Sequence, residues 1–115
     1  MHKDDAIRLR HMLDAGREAL SFAEGKLRTE LDANRMLALS LVKSIEIIGE
    51  AASRVSPDCR AQCNEIPWPD IVAMRNRLIH AYFDINLDIL WHTVTEELPP
   101  LVVELESALS SGDTE

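Results

Sequence analysis

Hydrophobic residues recur every three or four positions in four stretches of the chain, which is the period of an α-helix. β-Branched residues never alternate cleanly with polar ones, and the sequence holds no Asn-Gly or Asp-Gly pair of the kind that closes a hairpin. The pattern therefore predicts an all-α fold, an up-and-down bundle of four main helices.

The second predicted helix, residues 33–55, has the most continuous apolar face, and the first, residues 4–23, has a looser one that ends before Gly25. The face of the second helix consists of Leu37, Leu41, Ile45, Ile48, Ala52 and Val55. It is widened by Met36, Leu39, Val42 and Ile47. The face of the first helix consists of Ile7, Leu9, Leu13, Leu20 and Ala23. Because the second helix is apolar around most of its girth, we expect it at the centre of the bundle.

The third predicted helix begins at Pro69, because the first helical position tolerates a residue without an N–H, and it ends at Tyr82 or Phe83. A loop with at most a short turn precedes it at residues 56–68. The apolar positions of this helix are Ile71, Met74, Leu78, Ile79 and Phe83.

The fourth predicted helix begins after Asn86, a favourable N-cap, and its apolar stripe runs from Leu87 to Leu109. Pro99 and Pro100 remove backbone hydrogen bonds and are expected to bend this helix or split it in two. The stripe keeps its phase across both prolines, which favours a kink.

The chain of 115 residues has about the size of one small domain. We predict a single helical domain at residues 1–110 and a disordered tail at residues 111–115. No apolar run is long enough to span a bilayer and no apolar signal region opens the chain, which predicts a cytoplasmic protein. Cys59 and Cys63 are too few for a four-ligand zinc site, so we interpret them as ordinary thiols and expect no metal or cofactor.

The net charge of −8 argues against broad, sequence-independent binding of nucleic acid. Residues 1–60 balance ten cationic side chains against ten acidic ones, whereas residues 61–115 carry ten acidic side chains and two arginines, Arg75 and Arg77. Either each arginine pairs with a nearby carboxylate, or at least one is a functional charge in a site. The charge pattern leaves both interpretations open.

The same short stretch also contains Asn76, His80 and Tyr82. On an ideal helix Arg75 and Tyr82 lie within about 20° of each other, but Arg75 and His80 lie about 140° apart. A single helix does not easily aim both side chains at one small target. A second copy of the helix, related by a two-fold axis, would close such a site, so the spacing favours a homodimer.

Histidine exchanges a proton near neutral pH, and arginine stays charged and matches the oxygens of a phosphate. The pair suits phosphodiester chemistry on RNA, in which His80 removes the proton of the ribose 2′-OH and Arg75 stabilises the charge on phosphorus. Asn76 would hold the histidine tautomer or a phosphate oxygen. Alternatively, His80 complements the dipole at the helix end and Tyr82 is an edge residue of the core.

Glu46 and Glu50 lie four residues apart and share one face of the second predicted helix. They form a solvated acidic edge, or Glu50 points inward and orients an arginine. The spacing alone leaves both alternatives open.

The stretch RNRLIHAY, residues 75–82, resembles the Arg-x4-His-x-Tyr signature of HEPN domains, and specifically of the HepT-like toxin group. Three other segments are similar to that group: IEIIGEAASRV at residues 45–55, IPWPDIVAMRN at residues 66–76, and the run over residues 82–106 with its tryptophan and proline pair. The likeness covers nearly the whole chain and is least specific in residues 1–30.

The resemblance implies an all-α homodimer that cleaves RNA without a metal and acts as a growth-arresting toxin. It implies a partner, a small nucleotidyltransferase antitoxin of the MntA type, which attaches AMP to the motif tyrosine. Carried over by position, Arg75 and His80 are catalytic, Asn76 assists and Tyr82 is the modified residue. Arg77 lies inside the motif and is expected at most to contact a phosphate.

Two other functions fit the same sequence. A non-catalytic subunit of a nucleotidyltransferase would present Tyr82 or a nucleotide pocket without cleaving RNA, and the acidic composition favours it. A plain helical adaptor would tolerate mutation of the whole motif without biochemical consequence.

Overall fold

The computed structural model describes residues 1–81 and 84–113, and most of them are helical. The longer helices are α1 (Lys3–Ala23), α3 (Arg35–Ser53), α5 (Trp68–Leu78) and α7 (Leu98–Asp113). The shorter helices are α2 (Glu30–Ala33), α4 (Pro57–Gln62) and α6 (Leu87–His92), and two short strands, β1 (Ile79–Ala81) and β2 (Asp84–Ile85), follow α5. The all-α helical bundle expected from the sequence is therefore confirmed.

One hydrophobic core holds the bundle together. Helix α1 packs against α3 and α7, and α5 packs against α3. The largest fully buried side chains are Leu9, Met12, Leu13, Leu41, Ile45, Ile48, Met74, Leu78, Leu90, Val94, Leu98 and Leu105. Every long helix contributes side chains to this core. The hydrophobic effect therefore holds together helices that are distant in the sequence. In the part of the chain that the structure describes, no helix is long and apolar enough to span a membrane.

The predicted apolar face of α3 is buried at every position, but the face is narrower than expected. Of the four positions that widen it, only Val42 is buried, and Met36 is 80% exposed. Ile7 of the first predicted stripe is also exposed, at 40%. Helix α3 nevertheless contacts α1, α2, α5 and α6, in keeping with the central position expected for it, while one side of the helix is open to solvent.

Helix α5 ends at Leu78, so the prediction that it continues through the motif to Tyr82 or Phe83 is wrong. Ile79 has an extended backbone, with φ −113° and ψ 112°, and pairs with Ile85 in the antiparallel β1–β2 ladder. The Asn86 N–H donates to the carbonyl of Leu78 over 2.6 Å, which satisfies an acceptor at the helix end. A β-branched residue at position 79 also favours the extended conformation.

Asn86 caps α6 as predicted, since its side-chain oxygen accepts a hydrogen bond from the Ile89 N–H over 3.0 Å. The chain then stays helical to residue 113, but Thr93–Glu97 form a π-helical turn. The Leu98 N–H donates to the carbonyl of Thr93, five residues back. This wide turn ends two residues before Pro99, the first of the two prolines. The turn shifts the backbone hydrogen bonds from a spacing of four residues to one of five, next to the two positions that have no N–H to donate.

Helix α7 reaches Asp113, inside the segment that the sequence predicts to be a disordered tail. Residues 114 and 115 lie outside the described residues. Most of the predicted stripe after Asn86 is buried, namely Leu90, Val94, Leu98, Leu101, Leu105 and Leu109, while Leu87 and Trp91 of the same stripe are partly buried.

The predicted loop at residues 56–68 contains α4, and a buried carboxylate fixes where α4 begins. Ser56 is its N-cap and accepts a hydrogen bond from the Cys59 N–H. Asp5 of α1, only 6% exposed, accepts hydrogen bonds from the Ser56 N–H over 2.8 Å and from the Ser56 hydroxyl over 2.7 Å. One acidic side chain thus connects the start of α1 to the start of α4.

Candidate functional site

An open groove of about 570 Å³ lies between α1, α3 and α5. Two predicted site residues of α5, Arg75 and Asn76, line it. The other charged or titratable side chains of the groove are Arg8 and His11 from α1, and Lys43, Glu46, Glu50 and Arg54 from α3 and its C-terminal end. The groove is therefore a polar surface built by three helices around the first half of the motif.

The charge of the groove is opposite to that of the molecule. Of the residues that the structure describes, four cationic side chains line it against two carboxylates, whereas the whole chain has a net charge of −8. An anionic ligand is therefore attracted to this groove more than to the rest of the surface.

Glu46 holds Arg75 in the groove. The Nε atom of Arg75 lies 3.3 Å from the Oε1 atom of Glu46, and the two side chains are 50% and 34% exposed. The hydrogen bond is donated by the inner nitrogen of the guanidinium, and the two terminal nitrogens are a pair of donors that matches a phosphate in fork geometry. The charge pattern raised two alternatives for each arginine, a pair with a carboxylate or a functional charge. For Arg75 the two are compatible, because it pairs with Glu46 and still lines the groove.

Arg77 lies on another side of α5. Its Nη1 atom is 3.3 Å from the Oε1 atom of Glu97 in the π-helical turn. Two residues advance a helix by about 200°, so Arg75 and Arg77 face different surfaces. The structure brings Arg75 and Asn76 together and does not bring Arg77 to the same groove.

His80 is placed by β1 and not by the helix, because α5 ends at Leu78. Arg75 and His80 are therefore not related by the angle of about 140° that a continuous helix would place between them. The side chain of His80 lies outside the described part of the chain, and so does Tyr82.

Glu50 is exposed and pairs with Arg54, one turn further along α3, over 2.8 Å. Of the two alternatives for the glutamate pair, Glu50 therefore belongs to the solvated edge and does not point inward. Glu46 is the glutamate that orients Arg75. The sequence left both alternatives open for Glu50, and it did not indicate that Glu46 is the glutamate that contacts Arg75.

Cys59 and Cys63 are both free thiols, as expected from their number and spacing. Cys59 is buried, and burial together with the nearby Cys63 and Asp5 raises the pKa of the Cys59 thiol to about 12. This thiol is therefore protonated at neutral pH and contributes to the core as a small apolar side chain.

Sequence reasoning missed Arg8, His11 and Lys43 as members of the groove. A signal for Lys43 was present, since Lys43, Glu46, Glu50 and Arg54 follow one another at steps of three or four along one face. Arg8 and His11 are also three residues apart on one helix. No local pattern shows that these two polar stripes meet, because that depends on how α1 packs beside α3.

Known proteins resemble the chain over most of its length. The family model described as ribonuclease HepT-like matches residues 12–108. A protein of Methanocaldococcus jannaschii, provisionally named an RNase, is 33% identical over 95 residues, which are 83% of this chain and 87% of the relative. Another, from Caldanaerobacter subterraneus, is 32% identical over 101 residues, which are 88% of this chain and 90% of the relative.

A protein of Thermococcus cleftensis, provisionally named ribonuclease HepT, is 40% identical over 67 residues, which are 58% of this chain and 61% of the relative. No solved structure gives a significant match. The family match covers well over half of the chain and includes the motif stretch and the three segments that resembled the HepT-like group. The chain therefore belongs to the HepT-like ribonuclease family.

Proposed function

We propose that this chain is a metal-independent endoribonuclease in which Arg75 and His80 act on one phosphodiester bond of RNA. His80 takes the proton of the ribose 2′-OH, and the 2′-oxygen forms a bond to the adjacent phosphorus. The bond from phosphorus to the 5′-oxygen breaks, and that oxygen receives a proton. The products are a 2′,3′-cyclic phosphate and a 5′-hydroxyl end, so atoms and charge balance without a metal ion.

Arg75 stabilises the negative charge that grows on the phosphate oxygens during this step. Asn76, its neighbour in the groove, holds a phosphate oxygen or the histidine tautomer. A phosphate contact by Arg77 stays a prediction, since its guanidinium lies outside the groove and pairs with Glu97.

One observation carries the proposal: in a strongly acidic protein of the HepT-like family, the motif arginine lies in a groove with a cationic excess. The acidic composition argued against RNA as a ligand. The groove nevertheless supports RNA as a ligand, because it concentrates cations around Arg75, the residue proposed to hold the phosphate.

The test is cleavage of a single-stranded RNA by the purified protein in the presence of EDTA. We expect the wild type to cleave, and His80→Ala and Arg75→Ala each to lose about 100-fold or more in rate, as for other general bases and charge-stabilising groups. His92→Ala and Arg10→Ala are matched controls, since both residues are exposed and neither lines the groove. Equal activity in all five proteins, or loss of wild-type activity on chelation, would contradict the proposal.

We further propose that the enzyme is a homodimeric toxin in the cytoplasm and that a MntA-type nucleotidyltransferase neutralises it by adding AMP to Tyr82. An AMP group places negative charge beside the motif and competes with RNA for the same cations. Incubation with the nucleotidyltransferase and ATP should add AMP to the wild type and abolish cleavage. Tyr82→Phe should remain unmodified and active under the same conditions.

A second candidate function is a non-catalytic binding subunit of a nucleotidyltransferase. It is favoured by the ion pairs that engage both motif arginines, Arg75 with Glu46 and Arg77 with Glu97. This candidate predicts that the nucleotidyltransferase is retained on the immobilised chain and transfers AMP to Tyr82. It also predicts that the wild type and His80→Ala both leave RNA intact, which separates it from the ribonuclease.

A further inference from the structure

Three cations of the groove, Arg8, Lys43 and Arg54, lie outside the motif, and Arg54 pairs with Glu50. Arg8 belongs to α1 and Lys43 to α3, and both line the groove that holds Arg75. Among the described residues, neither forms an ion pair with a carboxylate. The other two cations of the groove each pair with a glutamate. Arg8 and Lys43 are therefore the two cations of the groove that no carboxylate of the described residues neutralises.

The distribution of charge restricts what these two residues bind. Counted over the described residues, four cations against two carboxylates give the groove a formal charge of +2, which leaves −10 for the rest of the chain. A long duplex lying across the surface would be repelled outside the groove. A single strand that enters the groove brings its phosphates to the cations and keeps the remainder of its charge away from the protein.

The cations are supplied by three different elements. Arg8, Lys43 and Arg75 come from α1, α3 and α5, which form the groove together. The groove volume of about 570 Å³ lies within the range of pockets that hold a drug-sized ligand. A ligand with several phosphates along a chain fits such a set of charges better than one with a single anionic group.

We propose that Arg8 and Lys43 bind the phosphates of single-stranded RNA next to the phosphate that Arg75 holds. The inference rests on the proposed ribonuclease function and extends it to residues outside the motif. These are positioning residues, since they touch phosphates that do not react. Contacts of that kind are equally strong in the ground state and in the transition state, so they lower KM and leave kcat nearly unchanged.

Two binding experiments test the proposal. The first measures, by fluorescence anisotropy, the Kd of a labelled 2′-O-methyl RNA strand, which the proposed chemistry does not cleave. We expect the double variant Arg8→Gln/Lys43→Gln to raise the Kd about 10-fold. The slope of log K against log salt should fall in magnitude by about 1.4, because each contact to a single strand contributes about 0.7.

The matched control is Arg10→Gln/Lys26→Gln, which removes the same two charges from exposed positions outside the groove. It should leave the Kd and the salt slope close to the wild type. Arg8→Lys/Lys43→Arg, which keeps both charges, should also bind like the wild type. With unmodified RNA, the groove variant should raise KM about 10-fold and change kcat less than two-fold.

The outcomes separate this inference from the ribonuclease proposal. If the wild type cleaves RNA but the groove and control variants bind alike, Arg8 and Lys43 have no role and the inference is overturned. If the wild type binds the 2′-O-methyl strand through these residues but cleaves no RNA, the inference stands and the ribonuclease proposal fails. A wild type that does not bind the strand at all would overturn the inference.

Discussion

At the scale of single residues, Glu46 influences the proposed chemistry through Arg75, because its carboxylate accepts a hydrogen bond from the Arg75 Nε atom. An ion pair exposed to this degree contributes little to the free energy of unfolding, so its main effect is to orient the guanidinium. We expect Glu46→Ala to lower kcat for RNA cleavage about 10-fold and to change the free energy of unfolding by less than about 0.5 kcal/mol. Glu46→Gln retains an acceptor oxygen and should keep most of the activity.

The control for this prediction is Glu50→Ala, which removes the same charge from the same groove but leaves Arg75 paired. Its kcat should stay near the wild type. If Glu46→Ala instead raised activity, or if both variants changed it equally, Glu46 would act only by repelling the RNA and not by orienting the arginine.

The ionisation of Asp5 is coupled to folding. Burial opposes its charge, but the two hydrogen bonds from Ser56, together with the electrostatic attraction of His2 and the N-terminal amino group, lower the pKa of Asp5 below its ordinary value of 3.8. A lowered pKa in the folded state means that ionised Asp5 adds stability above its ordinary pKa. That stability is lost as the pH falls through the folded value.

We therefore expect Asp5→Ala to lower the free energy of unfolding by about 2 kcal/mol at pH 7, the usual range for hydrogen bonds to a charged group. The difference from the wild type should shrink below about pH 4, where the carboxylate begins to protonate. Urea denaturation at a series of pH values measures both effects. Asp4→Ala, at an exposed neighbouring position, should change stability by less than about 0.5 kcal/mol at any of them.

At the scale of helices, two glycines report how closely the elements pack. A methyl group at Gly49 of α3 would lie 3.6 Å from the carbonyl oxygen of Ile71, an ordinary contact distance. A methyl group at Gly16 of α1 would lie only 3.0 Å from the Cγ2 atom of Val102 in α7. The α1–α7 contact is therefore tighter than the contact of α3 with α5 at these positions.

We expect Gly49→Ala to raise the free energy of unfolding by about 0.5–1 kcal/mol, because alanine is favoured over glycine inside a helix and the space is available. Gly16→Ala gains the same propensity but should be destabilising by about 1 kcal/mol, since the crowding against Val102 outweighs it. Thermal denaturation of the two variants measures the difference. Equal changes of the same sign would contradict the difference in packing.

Helix α5 shows why local patterns predict an element better than its end. Met74 and Leu78 are buried as their spacing predicts, and the helix begins within a residue of the expected proline. Its end depends on the pairing of Ile79 with Ile85 and on the donor from Asn86. These partners lie beyond any helical repeat, so the apolar stripe continued through His80 although the helix did not.

At the scale of the whole molecule, the proposed homodimer requires a surface through which two copies make contact. Val72, on the same face of α5 as Asn76, is 39% exposed and lines the groove. Dimerisation with the α5 helices facing each other would cover this side chain and place two grooves in one cleft. We expect Val72→Glu to produce a monomer in light scattering after size-exclusion chromatography, and to lose RNA cleavage with the dimer.

The control is Val103→Glu, which introduces the same charge on α7 at a position that is 64% exposed and outside the groove. It should remain a dimer with wild-type activity. A wild type that is monomeric and fully active would show that the site is complete within one copy.

The sequence by itself determined the class of fold, the buried faces of α3 and of the last helices, the cap at Asn86 and the family of the chain. These features depend on hydrophobic period, side-chain hydrogen bonding within a few residues and a motif with fixed spacing, all of which are local. The predicted stripes are buried because the apolar face of each helix packs against the core, away from water.

Only the tertiary structure decided where α5 ends, which glutamate holds Arg75, and that Arg8 and Lys43 share its groove. Each of these depends on the distance between atoms that are far apart in the sequence, which is set by how the helices pack and not by any local preference. The same packing gathers four cations in one groove of an acidic protein, a contrast that the net charge of the chain conceals.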